Sequence, residues 1–541
     1  MAEPITSNPP MHWTHRRANL PVEILTIIFC MIIESHHEHF TPGMEAILLE
    51  EARTIRAASQ VCRLWRDVAL SRHKIWAAIL DVDSNSTAWI DELFRRSGSA
   101  TLAIRSTPSK RRIPSQFFGS PKWDAISAHA HRLRKLDIAL EYEDINYKLL
   151  PFFNQPAPLL EFLALKFSQK TGPHQPFHRN FTDAIYPFLF AGVIPKLHTL
   201  TLDNLICLWS LADPMAHNIM RLDLSLSQKD MALFSFKSCT IMHLPNLQEL
   251  VVTGIERCSR FLFLLRVPSF CMTTLSFTQR DCDSALTNDP VLWVEQYLRG
   301  WQGRESPIHS WYLCTSQNEA FAFHAGRKED PPDRPQFVLE YNGGRTSGLR
   351  LLHILEILCG EGILHESINA TLDMQVDPYS SAGLAEKLAE LLSQCSRLDT
   401  LTLLGRSIDK VVPVLTKFPE ATAHIRHLII DGPYPTSTSS LPEIEVLTTQ
   451  YTRWLRNGGK KLEKISVCVG NSGKYEFLTK GVADFAKVVE CISFRPRAVR
   501  RGELVPRGCW SLGPCDPVLQ KHSSLYHYLS FFIPSNMFSL S

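Results

Sequence analysis

The first pattern along the chain is a run of apolar residues at helical spacing near its amino-terminal end. Ile24, Leu25, Ile28 and Phe29 stand at intervals that place them on one stripe of a helix. Pro21 precedes them, at a first-turn position where a missing N–H leaves no helical hydrogen bond unmade. The pattern predicts an amphipathic helix that begins near Pro21.

Two further short helices are predicted downstream. Val61, Leu64, Trp65 and Val68 repeat the same spacing, and Trp76 lies in a third apolar segment. A unit of about sixty residues that contains only short helices cannot bury this much apolar surface by itself. We therefore expect part of this surface to face a partner molecule.

The order of these residues resembles an F-box, in the divergent form that is common in large fungal families. Residues 33–56 form a long insert between the first and second helices, and the proline that often precedes the final Leu-Trp of the family is missing. The matching segments are Leu20-Pro21, Glu23-Ile24-Leu25, Ile28-Phe29, Val61-Cys62-x-x-Trp65-Arg66 and Ile75-Trp76.

This resemblance implies a three-helix domain that binds a Skp-family adaptor protein. It also implies that the family's motif positions supply the adaptor contacts and the small core behind them. In this sequence those positions are Leu20, Pro21, Ile24, Leu25, Ile28, Phe29, Val61, Cys62, Trp65 and Trp76.

A different pattern begins near Arg132. Short segments of the form Leu-x-x-Leu-x-Leu recur, with Ile, Val, Met or Phe at some of the apolar positions. Pro158, Pro195 and Pro245 each stand two residues before the first apolar position of a segment, a regularity that chance does not readily repeat. The segments begin at Leu133, Leu160, Leu197, Leu247, Met272, Leu398, Ile425 and Leu462.

This recurrence is typical of leucine-rich repeats, in which short strands point apolar residues inward and a helix or loop covers them. No single unit buries its own apolar face, so units stack around a shared core. The residues from Ser381 to Arg397 predict one return helix. The spacing of the segments is uneven, and the usual ladder asparagine is missing. The predicted fold class is α/β, an N-terminal three-helix F-box followed by an irregular leucine-rich-repeat-like solenoid.

The patterns also predict domain boundaries. Residues 1–18 form a flexible tail, 19–80 the F-box-like domain, 81–125 a linker, 126–500 the repeat domain and 501–541 a C-terminal tail.

Residues that alternate with the inward apolar positions point outward from a parallel sheet. Together they make a mixed polar strip without one dominant sign, which suits hydrogen-bonded recognition of a protein segment. The alternative interpretation is that they only solvate the sheet. The candidate substrate-binding residues are Thr199, Thr201, Asp203, Thr400, Thr402, His427, Asp431 and Lys464.

Composition and charge exclude several classes of protein. The chain has 541 residues, 45% of them hydrophobic, and its formal net charge is +3. This balance argues against nucleic-acid and membrane-surface partners, which select concentrated positive charge. The N-terminus lacks a secretory signal, so we expect a cytoplasmic or nuclear protein. The 14 cysteines include no CxxC pair and are interpreted as reduced, buried hydrophobes.

Candidate chemistry is sparse. The segment from His36 to His39 is interpreted as a solvated loop, because adjacent residues rarely converge on one metal ion. The segment from Gly470 to Lys474 departs from a phosphate-binding loop, with Cys468 at the first glycine position and Tyr475 at the metal-binding hydroxyl position. We therefore predict no catalytic residue, no metal and no cofactor.

The predicted function follows from the F-box resemblance. It is a substrate-recognition subunit of a cullin-based (SCF-type) ubiquitin ligase, with the F-box on the Skp-family adaptor and the repeats on an unknown protein substrate. One alternative is an adaptor-binding interaction protein outside a ligase. Another is an enzyme on a repeat scaffold.

Overall fold

A computed structural model describes the fold. It is mixed α/β, with helices grouped near the amino-terminal end and a large sheet beyond them. The His36–His39 segment, the Gly470–Lys474 segment and the predicted tail 1–18 lie outside the described residues. Those residues are 20–34, 45–82, 86–106, 121–140, 150–167, 189–203, 217–226, 241–255, 262–268, 270–278, 289–299, 307–316, 320–327, 335–342, 347–360, 362–374, 383–404, 407–431, 462–469, 491–500, 503–506 and 510–511.

The helices fall into an amino-terminal group and a set that alternates with strands. The α-helices are α1 (Val22–Glu34), α2 (Glu45–Val61), α3 (Arg63–Ser71), α4 (His73–Ala78), α5 (Thr87–Ser97), α6 (Pro121–Ala128), α7 (Leu150–Phe153), α8 (Asp289–Arg299), α9 (Ser347–Gly360), α10 (Leu384–Gln394) and α11 (Ser407–Lys417). Short 3-10 turns lie at Ala130–Arg132, Leu189–Gly192 and Pro419–Thr422.

Most strands are short, as parallel repeats require. They are β1 (Leu80–Asp81), β2 (Leu102–Arg105), β3 (Leu133–Leu140), β4 (Phe162–Phe167), β5 (Thr199–Asp203), β6 (Arg221–Leu226), β7 (Met242–His243), β8 (Glu249–Ile255), β9 (Leu265–Arg266), β10 (Met272–Thr278), β11 (Ser310–Thr315), β12 (Phe321–Gly326), β13 (Phe337–Asn342), β14 (Asn369–Met374), β15 (Thr400–Leu404), β16 (His427–Asp431), β17 (Lys464–Val469), β18 (Cys491–Arg500), β19 (Glu503–Pro506) and β20 (Trp510–Ser511).

The prediction of three helices in the amino-terminal group was wrong. Val61 and Val68 were predicted to lie on one helix, but they belong to two helices, α2 and α3. Cys62 has extended backbone angles, φ −156° and ψ 172°, and separates α2 from α3. Val61 therefore ends one helix and is exposed, while Val68 is buried in the next. The predicted insert also holds much of α2. From α1 to α4 the structure describes four helices.

The chain divides into two compact units. The first unit comprises residues 1–308 and 317–357. Within it, parallel pairing runs β1–β2–β3–β4–β5–β6–β8–β10–β13, and β12 adds to β13 in the antiparallel sense. A separate parallel pair joins β7 to β9.

The second unit comprises residues 309–316 and 358–541. Its parallel order is β11–β14–β15–β16–β17–β18, and β19 and β20 pair antiparallel with β18. The predicted return helix is confirmed as α10, somewhat shorter than expected, with Leu384, Leu388, Leu391 and Leu392 buried.

A repeated turn explains the proline regularity. The Leu160 N–H donates to the Ala157 carbonyl, so Pro158 occupies the second position of a four-residue turn, where its fixed φ fits best. The same hydrogen bond joins Leu197 to Ile194 around Pro195, and Leu247 to Leu244 around Pro245. Each turn delivers a buried leucine directly ahead of a parallel strand.

Several units of this pattern escaped the sequence analysis, among them those of β6 and β14. β6 follows buried Ile219, which stands in register with the first leucine of its neighbours. β14 follows buried Ser367 and uses Ala370 where other strands use leucine. The described sheets thus match the predicted strand pattern, while the solenoid itself stays a prediction.

Part of the predicted linker 81–125 has regular structure. It contains α5, and β2 pairs with both β1 and β3. Arg132 holds this region to β3, because its guanidinium donates to the Ala100 carbonyl and to the Ser97 hydroxyl at 2.8 Å each. The predicted domain boundaries themselves stay predictions. Among the described helices, none combines the length and apolar character needed to cross a bilayer.

Candidate functional site

Helix α1 presents an apolar face to solvent. On α1, Ile24, Ile27 and Met31 stand three and four residues apart and form one stripe, and exposed Leu20 lies two residues before the helix. These four residues are here called the α1 stripe. Ile27 is 53% exposed and Met31 is 63% exposed. Exposed apolar residues are unremarkable singly, but a continuous stripe of four indicates a contact surface.

The opposite face of α1 builds a small core. Leu25 and Phe29 are buried there, and the Phe29 ring packs edge-on against Trp65, with centroids 5.7 Å apart. The Leu25 N–H donates to the Pro21 carbonyl, which draws Pro21 into the first turn as predicted. This core fixes the orientation of the α1 stripe.

A second aromatic cluster anchors the last helix of the group. Trp76 is fully buried and donates its indole N–H to the Ala69 carbonyl at 2.8 Å. The Arg96 guanidinium lies 4.5 Å from the Trp76 ring centroid, and Arg56 lies 4.5 Å from that of Trp89. Burial lowers the pKa of Arg56, with the neighbouring Arg96 acting in the same sense. These cation–π contacts join α2 and α4 to α5.

The predicted adaptor-binding residues therefore occupy different environments. The buried residues are Leu25, Phe29 and Trp76, and the half-buried residues are Ile28 and Trp65. The exposed residues are Leu20, Pro21, Ile24, Val61 and Cys62. The sequence analysis missed Val22, Ile27 and Met31, all of which are exposed. The apolar character of α1 on both faces was the signal for them, because a helix that serves only its own core needs one apolar stripe.

The first unit holds three of the predicted substrate-binding residues. Thr199, Thr201 and Asp203 alternate along β5, and register places them beside Arg221, Asp223 and Ser225 of β6. Since β6 was missed, these partners were missed too. The residues of this patch lie on one face of the sheet because inward leucines occupy the other.

Charges on this face are paired both within β6 and between β6 and β8. Arg221 Nε lies 3.2 Å from Asp223 Oδ2, and Arg221 Nη1 lies 2.8 Å from Glu249 Oε2. The Thr201 hydroxyl donates to Asp223 Oδ2 at 3.3 Å. Burial raises the pKa of Asp203, although a hydrogen bond from Ser225 and the charge of Lys166 act in the opposite sense.

The second unit holds the other predicted residues. Register aligns Thr400 of β15 with His427 of β16 and Lys464 of β17, and Thr402 lies one row further along β15. Asp431 ends β16. These residues share a sheet with one another and form a group separate from those on β5.

A side-chain cluster missed by the sequence analysis lies on the same sheet. Tyr312 and Cys314 of β11 hydrogen-bond with each other and with Asp373 of β14. Burial raises the pKa of all three groups. The Cys314 thiol is thereby held protonated, which makes it a poor nucleophile. Among the described residues, no group of three His, Cys, Asp or Glu side chains is arranged to hold a metal ion.

Comparison with known proteins identifies one region of the chain. Residues 18–80 match the family model described as F-box-like. The match includes the α1 stripe, the Phe29–Trp65 pair and Trp76, as the resemblance predicted. No curated protein matches the chain.

Proposed function

We propose that this chain, which carries an F-box-like domain over residues 18–80, is the substrate-recognition subunit of a cullin-based (SCF-type) ubiquitin ligase. The observation that carries the proposal is the exposed α1 stripe within that domain. A receptor of this kind performs no chemistry itself. It raises the effective concentration of substrate lysines near a ubiquitin-loaded enzyme bound elsewhere in the assembly. It would act in the cytoplasm, the nucleus or both.

The adaptor-binding surface consists of the α1 stripe and the exposed residues at the start of α3. Leu20, Ile24, Ile27 and Met31 are available without unfolding the helical core. Covering them with a Skp-family adaptor removes apolar area from water, which is the main driving force of association. Phe29 and Trp65 support this surface from below.

The sheet-bearing region is proposed to be an irregular leucine-rich-repeat-like array that binds the substrate. Parallel in-register strands support this interpretation, and β4, β5, β6, β15 and β16 are each preceded by a buried apolar residue. Two asparagines also join neighbouring units, at a position different from the usual ladder, because each stands directly before the first buried apolar residue of its unit. Asn218 donates to the Pro195 carbonyl and Asn246 to the His217 carbonyl of the preceding unit. The polar rows on β5, β15, β16 and β17 are the proposed substrate surface.

The test is capture of the adaptor and cullin by the tagged chain. A variant with Ile27→Asp and Met31→Asp places two charges in the α1 stripe and should lose adaptor capture. The matched control, Met220→Asp, changes an exposed apolar residue of the sheet region and should retain it. Adaptor retention by the double variant would show that this face is not the interface.

The composition of the captured complex decides between the remaining functions. Adaptor together with cullin supports the ligase. Adaptor without cullin supports an interaction protein outside a ligase. Capture of neither, from a folded wild-type chain, contradicts both and reopens an enzyme on a repeat scaffold.

A further inference from the structure

A group of basic side chains lies on α3 and at the start of α4. Arg63, Arg66, Arg72 and Lys74 are all exposed, and they are here called the basic segment. Among residues 63–74 the only acidic side chain is that of Asp67. This stretch therefore has an excess of positive charge, although the whole chain has a formal net charge of only +3.

Most of this charge has no partner within the fold. Arg63 Nε lies 3.8 Å from Asp67 Oδ2, and the two side chains are 93% and 65% exposed. The side chains of Arg66, Arg72 and Lys74 form no ion pair and no hydrogen bond within the part of the chain that the structure describes. Three positive charges are therefore left to the solvent or to another molecule.

Arginines elsewhere among the amino-terminal helices serve the fold itself. Arg95 and Arg96 of α5 each lie 2.6 Å from a Glu92 carboxylate oxygen. The Arg96 guanidinium also lies 4.5 Å from the ring centroid of Trp76. The basic segment makes no comparable contact, so the described fold gives its charges no structural role.

Exposed apolar residues accompany the basic segment. Val61 is 64% exposed and Leu70 is 39% exposed. On α3, Arg63, Arg66 and Leu70 stand three and four residues apart, so they share one face of the helix. Val68 on the opposite face is buried. The exposed face of α3 thus combines apolar area with positive charge, as protein-binding surfaces that are enriched in arginine do.

This face belongs to the same packed helix pair as the α1 stripe. Trp65, which directly precedes Arg66, packs against Phe29 of α1 with ring centroids 5.7 Å apart. The contact holds α1 and α3 together, so their two exposed faces keep a fixed relationship. A partner that covers the α1 stripe meets the basic segment as part of one rigid surface.

We propose that the basic segment recognises an acidic surface on the adaptor, beside the site that receives the α1 stripe. Its guanidinium and ammonium groups contact carboxylates of the partner, and Val61 and Leu70 extend the apolar contact. The proposal rests on the proposed function, because it concerns the same adaptor. It adds the charge of the partner's surface and a role for charge in the rate of its capture.

Charge and apolar area together favour a protein over a nucleic acid. A nucleic acid binds along a basic track that neutralises several phosphates in succession, whereas Asp67 interrupts this one. The exposed apolar residues beside the track would also stay uncovered on a phosphate backbone. An acidic protein surface satisfies both the charge and the apolar area.

The physical consequence is a rate that depends on salt. Opposite charges on two proteins speed their encounter, and dissolved ions screen this attraction. Pairs between exposed side chains add little to equilibrium affinity, so the effect belongs mainly to association. Apolar contacts of the α1 stripe are not screened in this way, and they set the dissociation rate.

The experiment measures association and dissociation rates of the full chain with purified Skp-family adaptor, at about 50 mM and about 500 mM salt. The variant is Arg66→Gln with Lys74→Gln. The matched control is Arg266→Gln with Lys196→Gln, because these are also one exposed arginine and one exposed lysine, in the sheet region. Binding of random-sequence duplex DNA is measured on the same three proteins.

We expect wild-type association to slow by about tenfold between low and high salt. The variant should associate about threefold more slowly than wild type at low salt and equally fast at high salt, with its dissociation rate unchanged. The control should behave as wild type. A folding defect would slow the variant at both salt concentrations, which separates it from a loss of steering.

Equal association rates of wild type and variant at low salt would overturn the proposal and leave the proposed function in place. Salt-sensitive DNA binding that only the variant loses, with adaptor rates unchanged, would assign the basic segment to nucleic acid instead. Absence of adaptor binding by folded wild type would remove the proposed function, and this proposal with it.

Discussion

The indole of Trp65 packs edge-on against the ring of Phe29, with centroids 5.7 Å apart and an interplanar angle of 75°. Phe29 is buried, whereas Trp65 is half-buried and reaches the surface. The pair therefore joins the core between α1 and α3 to the proposed adaptor surface. A change at Trp65 acts on both.

Trp65→Ala should lower the free energy of unfolding of the helical domain and also abolish adaptor capture. Loss of a partly buried aromatic ring from a core of this size destabilises by about 2–3 kcal/mol. The measurements are chemical unfolding followed by fluorescence and adaptor pull-down. Trp65→Phe is the control, because it keeps an aromatic contact with Phe29. Full stability and full capture in Trp65→Ala would contradict this account.

Leu20→Ala combined with Pro21→Ala should affect the adaptor alone. Both residues are exposed, so their truncation leaves the core packing of Leu25 and Phe29 unchanged. We expect adaptor affinity to fall by about 2 kcal/mol or more if this end of α1 lies in the interface. Titration calorimetry with purified adaptor measures the loss, and an unchanged unfolding midpoint excludes a folding defect. Unaltered affinity would move the interface to the Ile27 and Met31 end.

Arg132 offers a test of the link between the helices and the sheet. It is buried and donates to Ala100 and Ser97, and burial lowers its pKa. Arg132→Met should destabilise the first unit by about 3 kcal/mol, because it removes charge-assisted hydrogen bonds and leaves their buried acceptors without the donors of Arg132. Arg132→Lys should recover only part of this, since an ammonium lacks the guanidinium fork. Thermal unfolding of both variants gives the comparison.

The helices and strands could be predicted where apolar residues are frequent and regular. α1, the strands after Leu160, Leu197 and Leu247, and α10 all follow from periodicity. β6 was missed although Ile219, Leu222 and Leu224 have the same spacing as the predicted segments. The break at Cys62 has no glycine or proline to announce it. The end of α2 at this point could therefore not be predicted from the local sequence.

The sequence predicted which positions belong to the motif of the candidate site, but it did not predict which of their side chains are exposed. Leu25 and Phe29 belong to the same helix as Ile27 and Met31, and all four are apolar, so composition alone cannot say which face is covered. Only packing against α3 settles that.

Asp203 provides a pH-dependent prediction for the sheet face of the first unit. Burial raises its folded-state pKa above the ordinary value of 3.8, so the folded protein favours the protonated form. Its contribution to stability is therefore fully present below pH 3.8 and is lost as pH rises through the folded pKa. At neutral pH the buried carboxylate opposes folding, and Asp203→Asn should raise the unfolding midpoint.

The advantage of Asp203→Asn should shrink as the pH is lowered toward the range where Asp203 itself becomes neutral. Asp124→Asn, which changes an exposed carboxylate of α6, is the matched control and should show little effect at any pH. Denaturant unfolding of the wild type and both variants between neutral and mildly acidic pH measures the difference. If Asp203→Asn destabilises the protein at neutral pH, the hydrogen bond from Ser225 and the charge of Lys166 outweigh burial, and the carboxylate is a stabilising member of the β5–β6 face.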